Sequence, residues 1–401
     1  MRDAPSLHLD DDPIGASPPG IEDAILSRAA CVLQVLPALA TGGVERGTVD
    51  VAGAIAGAGG LPLVASSGGP LQREIERLGG RHLTLPLDRK TPWHVHGNAR
   101  RLAELLQAEN VDILHARSRA PAWSAWLAAR RTGTPFVTTF HGTYGTETAL
   151  KRWYNSVMTR GDRVIAISAF IAEHVGRIYG TEPGRIRVIP RGVDLAAFDP
   201  DRMTAERLTQ LARAWRLPDG APVVLLPGRL ARWKGHAVLV EAMARLRERD
   251  AIALFVGPDG GAERHKRELV ARIERAGLGG RVRFVGDCRD MPAAYMLADV
   301  VVSTSTKPEA FGRVTAEASA MGRPVVASNH GGSRETIRDG VTGWLTPVGD
   351  AGALADAIDR ALTLSDADRR ALAAAGRAHI AAGFSKTAMC QATLDVYDEL
   401  L

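Results

Sequence analysis

Short β-branched or apolar runs alternate with longer amphipathic stretches along nearly the whole chain, and the series occurs twice. In the first half the strand candidates are 31–36 (CVLQVL), 61–65, 111–115 (VDILH), 135–140 (PFVTTF) and 163–167. Helical spacing falls at 44–57 and 98–109, where Leu102, Leu105 and Leu106 share a face. The second half repeats the scheme with strands at 222–227, 251–256, 281–285, 298–303 and 324–327 and helices at 236–249, 263–276 and 314–321. Alternation of this kind predicts an α/β fold with parallel sheets covered by helices on both faces. Ligands of open parallel sheets bind beyond the carboxyl ends of the strands. Two such sheets facing each other leave a cleft, and the chemistry is expected there.

With 401 residues the chain suits two domains. The Pro- and Gly-containing stretch PRGVDLAAFDPDR near 190–205 marks the join. The reading is a flexible tail over 1–30, one domain over 31–200, a second over 201–385, and a closing helix over 386–401 that packs back toward the first. Met389, Leu394 and Tyr397 form its expected buried face. Cys31, Cys288 and Cys390 lie far apart without metal-ligand spacing, which argues against a disulfide framework or a zinc site and for a reducing, cytoplasmic compartment. No run approaches the roughly 18 apolar residues of a membrane span.

Charge is uneven. Residues 1–30 carry 2 basic and 6 acidic side chains, whereas 31–205 carry 21 and 15. The basic first domain favours a phosphorylated acceptor or an anionic membrane surface, and a solvated Arg-rich face accounts for it equally well. No nucleic-acid-binding module accompanies the charge. The stretch 143–160 mixes Tyr144, Trp153 and Tyr154 with Lys151, Arg152 and Arg160, as a membrane interface or a buried aromatic helix face would.

The most specific segment is 303–328, in which Glu309 and Glu317 are separated by seven residues, Phe311-Gly312 lies between them, and a helix begins near Val314. Carboxylates accept pairs of sugar hydroxyls, and exposed N–H groups at Arg313, Val314 and Thr315 would attract a phosphate. In 223–240 a strand runs into Gly228-Arg229, and Lys234-Gly235 opens a helix. Two cations at this spacing can converge on a pyrophosphate. Gly42-Gly43 after the first strand allows close backbone approach at a helix start. Phe140-His141-Gly142 ends another strand beside the cleft, where a histidine is structural or catalytic. Arg117 and Arg119 end a further strand, and with Tyr144 they face the acceptor side.

Together these segments resemble the retaining GT-B glycosyltransferases, of the glycosyltransferase family 4, group 1 type with its E-x7-E motif. The resemblance covers residues 31–400. GGVERG is similar to the family's acceptor-domain glycine turn, FHG to its strand-end histidine, and IPRGVD to its interdomain hinge, which often has Asn where Arg191 stands. It implies a GT-B fold of two Rossmann-like domains and a UDP- or GDP-sugar as substrate, with no separate cofactor. Arg229 and Lys234 would neutralise the diphosphate, Glu317 would hold the ribose, and backbone near Cys288-Arg289 would meet the base. Glu309 and the Phe311-Gly312 backbone would hold the transferred sugar, with His141 at its reacting face. The implied acceptor is a glycan or lipid-linked molecule, with the enzyme peripheral on the inner face of the cytoplasmic membrane.

No metal is expected. The Asp-x-Asp matches at Asp10-Asp11-Asp12, Asp199-Pro200-Asp201 and Asp366-Ala367-Asp368 do not follow a strand. A nucleotide-sugar epimerase or a noncatalytic nucleotide-sugar-binding protein would share this architecture, which alone does not decide. A dinucleotide enzyme needs G-x-G-x-x-G after a strand, and residues 57–62 lack the third glycine.

Overall fold

The computed structural model describes residues 25–40 and 42–401, so most of the expected tail lies outside the described residues. Residues 25–28 are not free: Ile25 bonds Gln391, Ser27 bonds Asp398, and Arg28 pairs with Asp112.

The first sheet comprises β1 (Cys31–Val35), β2 (Leu61–Ser66), β3 (Arg81–Thr84), β4 (Ile113–Ala116), β5 (Phe136–Phe140), β6 (Arg163–Ala166) and β7 (Ile186–Val188). The second comprises β8 (Val223–Pro227), β9 (Ile252–Val256), β10 (Val282–Gly286), β11 (Val300–Ser303), β12 (Val325–Ser328) and β13 (Trp344–Thr346). Their orders are β3-β2-β1-β4-β5-β6-β7 and β10-β9-β8-β11-β12-β13, and neighbouring strands are parallel throughout. The fold is GT-B: two Rossmann-like doubly wound sheets. Strand order reverses between β1 and β4 and between β8 and β11, the crevices where such sheets take ligands. Gly42-Gly43 follows β1, Arg117 follows β4, Lys234 follows β8 and Glu309 follows β11.

Three strands escape the hydrophobic pattern. β3 (RHLT), β7 (IRV) and β13 (WLT) are short edge strands, and β3 and β7 have no fully buried position. The helix expected at 98–109 begins earlier, at Pro92, because proline is preset for a first helical turn. The helix expected at 236–249 stops at Met243. Arg119–Thr132 forms a helix that the sequence pattern did not announce; its buried face is mostly alanine, which carries little periodic signal.

The halves share core. Phe311, Ala316, Ala320, Ile380 and Phe384 pack into the same cluster as the β4–β6 side chains of the first sheet. The closing helix Lys386–Asp398 lies on the first domain, with Leu394 and Tyr397 fully buried against β1, β4 and β5 residues. Tyr397 Oη bonds His115 Nδ1 at 2.7 Å, and His115 Nε2 bonds Thr139 Oγ1 at 2.7 Å. The two passages between domains touch backbone to backbone: Val193 N–H donates to Phe384 O at 2.7 Å and Lys386 N–H to Val193 O at 2.8 Å. Gly192 makes this possible, because a Cβ there would lie 2.3 Å from Lys386 Cα.

Gly192→Ala is therefore expected to cost about 1–3 kcal/mol through overpacking and to lower the melting temperature. Calorimetric unfolding checks it; an unchanged midpoint would show that the two passages slide apart without penalty.

Candidate active site

Glu309 sits in the loop after β11 with its side chain 14% exposed, and its Oε1 accepts from Lys234 Nζ at 2.8 Å. Ser305 and Ser303 hydroxyls donate to the same oxygen at 2.5 and 3.4 Å. Lys234 gets there because Gly228 (φ +150°) and Gly235 (φ +74°) bend the chain after β8. A Cβ on Gly235 would lie 1.8 Å from Thr304 O, so only glycine fits. Trp233 lies under the ammonium, 4.6 Å from ring centre to Nζ. Arg229, next to Gly228, is exposed. The two switch-point loops of the second sheet thus meet through one cation and one carboxylate. Burial pushes the Glu309 carboxyl up, but Lys234 with Ser305 and Ser303 outweighs it and holds the group below its ordinary value of 4.5.

Gly312 (φ +88°) caps the helix Arg313–Ala320. Among the described residues no backbone or side-chain acceptor takes the N–H groups of Arg313, Val314 and Thr315. The side chain of Thr315 is turned inward, to Gly312 O and Thr336. Phe311 is buried against Phe384, which leaves only its backbone available. Glu317 is 7% exposed and both its oxygens are engaged, Oε2 by Tyr295 Oη at 2.8 Å and Oε1 by Arg313 Nε at 2.9 Å. Burial pushes its carboxyl above 4.5 despite Arg313.

Across the cleft, Gly42 caps the helix Gly43–Gly57. A Cβ on Gly43 would lie 3.4 Å from both Arg191 Nη1 and Arg313 Nη1, so one guanidinium from each domain closes on this turn. Arg191 Nη1 donates to Gly43 O, and Nη2 donates to His141 Nδ1 at 2.9 Å. Among the described residues, His141 Nε2 is buried without a hydrogen-bond partner. Burial, followed by the Arg191 and Arg117 charges, holds the imidazole well below 6.5 and therefore neutral. Arg117 joins this group, whereas Arg119 does not. Arg119 bonds Asn155 at 3.0 Å and stacks on Tyr144 at 4.1 Å, turned toward a cavity of about 470 Å³ that Leu150, Lys151, Trp153 and Tyr154 also line. Tyr144 packs on Phe140 at 4.6 Å. Cys288 is half-buried and Arg289 exposed in the loop before the helix Met291–Leu297, and neither bonds another site residue.

Sequence reasoning missed Tyr295, Ser303, Ser305 and the pair Gly331-Gly332, and noted Arg191 only as a departure. Hydroxyls and glycines recur along the chain without signalling which carboxylate or backbone they meet.

Two family models match the chain: Glycosyltransferase Family 4 over residues 41–197 and Glycosyl transferases group 1 over residues 209–379. A D-inositol 3-phosphate glycosyltransferase of Xylanimonas cellulosilytica is 34% identical over 71% of this chain and 71% of its own length. The chain belongs to the group 1 glycosyltransferases. A similar protein from Salinispora tropica with the same description is 34% identical over 74% of this chain and 67% of its own. Among solved structures, a glycosyltransferase from Rickettsia africae superposes with a TM-score of 0.86 at 37% identity, covering 93% of this chain and 98% of that one. HepE from Anabaena, solved with UDP and glucose, shares the fold at 24% identity and a TM-score of 0.78 over 92% and 99% of the two chains. In this chain the spaced pair Glu309 and Glu317 lies in the loop after β11 and on the helix that follows it.

Because the folded Glu309 carboxyl titrates below 4.5, its ion pair stabilises the enzyme above that pH, and the contribution is lost as pH falls through the lowered value. Glu309→Gln should be less stable than wild type by about 1–3 kcal/mol at pH 7. The gap should close in acid. Denaturant titrations at pH 7 and below pH 4 check the sign.

Proposed function

We propose that the enzyme moves a hexose-type sugar, with retention, from UDP- or GDP-sugar to a lipid-linked or cell-envelope glycan acceptor, without a metal. The observation that carries this reading is the Lys234–Glu309 pair at the switch point, followed four residues after Glu309 by a helix that begins with the open N–H groups of Arg313–Thr315. Breaking the glycosyl–phosphate bond builds negative charge on the diphosphate and oxocarbenium character on the sugar. Arg229, Lys234, the helix N-terminus and the Gly42-Gly43 turn would take up that charge without reorganising. Glu309 would grip sugar hydroxyls, Glu317 the ribose, and the loop at Cys288-Arg289 the base. The acceptor oxygen bonds to the anomeric carbon as the phosphate oxygen leaves from the same face. The acceptor's proton passes to that phosphate oxygen.

Support for charge neutralisation by the protein also comes from two of the Asp-x-Asp segments, the third, Asp10-Asp11-Asp12, lying outside the described residues. Asp199 and Asp201 both face Arg377 at 3.7 Å, and Asp366 and Asp368 begin a helix capped by Ser365. UDP and GDP should therefore raise the melting temperature with a chelator present.

The two glutamates should fail differently. Glu317→Ala should weaken UDP or GDP binding about 10- to 150-fold, the value of a hydrogen bond to a charged group. Glu309→Ala should leave nucleotide affinity nearly intact and lower turnover instead. Calorimetry beside steady-state kinetics separates them, and equal losses of nucleotide affinity would overturn the assignment.

Leu150 and Trp153 are 72% and 55% exposed, next to Lys151 and Arg152, which supports peripheral docking of the first domain on the cytoplasmic face of a membrane. No described helix is long and apolar enough to cross one. Binding to vesicles containing anionic lipid should weaken with salt, because exposed charges are screened over about 10 Å at 0.1 M, and should weaken in Trp153→Ala. Equal binding to neutral and anionic vesicles, or none, counts against docking.

A further inference from the structure

Glu309 is held by one of its two oxygens. Lys234 Nζ and the hydroxyls of Ser305 and Ser303 all donate to Oε1, and among the described residues no group donates to Oε2. An ionised carboxylate accepts at both oxygens, so Oε2 is the atom left for a ligand. Where it points depends on how firmly Oε1 is pinned. Ser305 makes the shorter of the two hydroxyl bonds, 2.5 Å against 3.4 Å for Ser303.

Ser305 is placed from two sides. Its neighbours are tied to the loop that carries Lys234: Thr304 Oγ1 donates to Lys234 O and Gly235 O at 3.0 Å, and Thr306 N–H donates to Trp233 O at 2.7 Å. Its own carbonyl is tied elsewhere, to His330 Nε2 at 2.8 Å. A carbonyl only accepts, so Nε2 carries the proton and donates. Among the described residues no backbone N–H takes that carbonyl. His330 stands on a fixed base, because Asn329 N–H donates to Thr346 O and Gly332 N–H to Glu309 O, both at 2.8 Å. Burial holds the ring below 6.5, although Ser305 O and Glu309 favour its charged form. The imidazole therefore contributes an N–H at neutral pH, not a second cation beside Lys234.

We propose that His330 is a positioning residue for glycosyl transfer: by holding the Ser305 carbonyl it sets the Ser305 hydroxyl on Oε1 of Glu309 and so presents Oε2 to the transferred sugar. The proposal rests on reading Glu309 as the group that grips sugar hydroxyls. His330 touches no reacting atom and acts only through Ser305. A peptide group whose carbonyl has lost its partner can turn, and the hydroxyl on the same residue turns with it. Glu309 would still keep Lys234. An ammonium is a point charge with rotatable donors, so it holds a carboxylate in place without fixing its orientation. Misorientation of a gripping group costs rate more than nucleotide affinity.

Steady-state cleavage of a panel of UDP- and GDP-hexoses, read as release of the nucleoside diphosphate, tests the role beside calorimetry with UDP and GDP. His330→Leu should lower kcat about 10-fold or more and leave nucleotide affinity within about 2-fold. His330→Gln, whose amide reaches as far as Nε2, should bring kcat back to within about 3-fold of wild type. His330→Asn, whose amide reaches only as far as Nδ1, should not. In a Ser305→Ala background His330→Leu should cost less than about 2-fold more, because the path to Glu309 is already cut. Wild-type kcat in His330→Leu, a Gln variant as slow as the Leu variant, an undiminished loss in the Ser305→Ala background, or nucleotide affinity falling in step with kcat would each overturn the proposal. Should His330→Leu fail to fold, equal rates in the Gln and Asn variants overturn it as well. A wild type that cleaves none of these donors, or Glu309→Ala that cleaves them like wild type, would instead strike at the transfer reading. His330 is then decided by denaturant unfolding at pH 7, where His330→Leu and Glu309→Gln should be non-additive and additive losses overturn the positioning.

Discussion

At the centre of the molecule two loop backbones touch. A Cβ on Gly332 would lie 2.2 Å from Phe311 O and one on Gly331 2.4 Å from Glu309 O, so the strip Glu309–Gly312 is clamped by chain that bears no side chain there. Gly332 N–H fastens it to Glu309 O at 2.8 Å. The clamp fixes where Glu309 stands relative to Lys234, and it delivers the chain to Gly312 in the left-handed turn from which the helix Arg313–Ala320 starts. It also turns Ala310 O toward the first domain, where Ser168 Oγ donates to it at 2.6 Å. Three residues beyond Gly332, Glu335 accepts the N–H groups of Ala169 and Phe170 at 2.8 and 2.9 Å and so caps a first-domain helix. The strip that organises the site is thus also the seam between the sheets. A shift at either would be felt at the other.

The two glutamates show how similar burial produces opposite titration. Both lose solvation, which raises a carboxyl pKa. Glu309 is opposed by Lys234, itself only 14% exposed and hence little screened, together with two serine hydroxyls. Glu317 is opposed by Arg313, which is 57% exposed and shares its charge with water. The less screened partner goes with the lowered carboxyl, and the more deeply buried Glu317, helped only by Arg313 and Tyr295, is the one raised. Residue types alone do not carry that information, because Lys–Glu and Arg–Glu are interchangeable on paper.

The same distinction explains what was legible beforehand. The buried strands β1, β5, β8 and β9 read directly from apolar runs such as VLQV and IALFV, because a strand covered on both faces needs them. The edge strand β3 carries Arg81 and His82 and does not. In the site, Lys234 and Glu309 stood out because glycines and a helix start surround them. Tyr295 reads as an ordinary core aromatic, although its hydroxyl bonds Glu317. Arg119 looked equivalent to Arg117 two residues earlier. Arg117 continues the end of β4 and turns inward, whereas Arg119 begins the next helix and turns toward Asn155. That fork is a consequence of backbone direction, which spacing does not reveal.

His141 ties these threads to the chemistry. A guanidinium only donates, so the bond from Arg191 fixes Nδ1 as the acceptor and leaves the ring proton on Nε2. The neutral ring therefore carries one N–H, at Nε2, which has no close partner among the described residues although the Arg117 backbone lies near the ring. A base is different: it needs a free lone pair, and the lone pair at Nδ1 is already used. Two neighbouring arginines also make protonation of the ring unfavourable. In the proposed reaction His141 is thus suited to hydrogen-bond a sugar oxygen, and unsuited to take the acceptor's proton. That proton needs another base beside the anomeric centre, and the departing phosphate oxygen, gaining charge as the bond breaks, is the group placed by the chemistry to receive it.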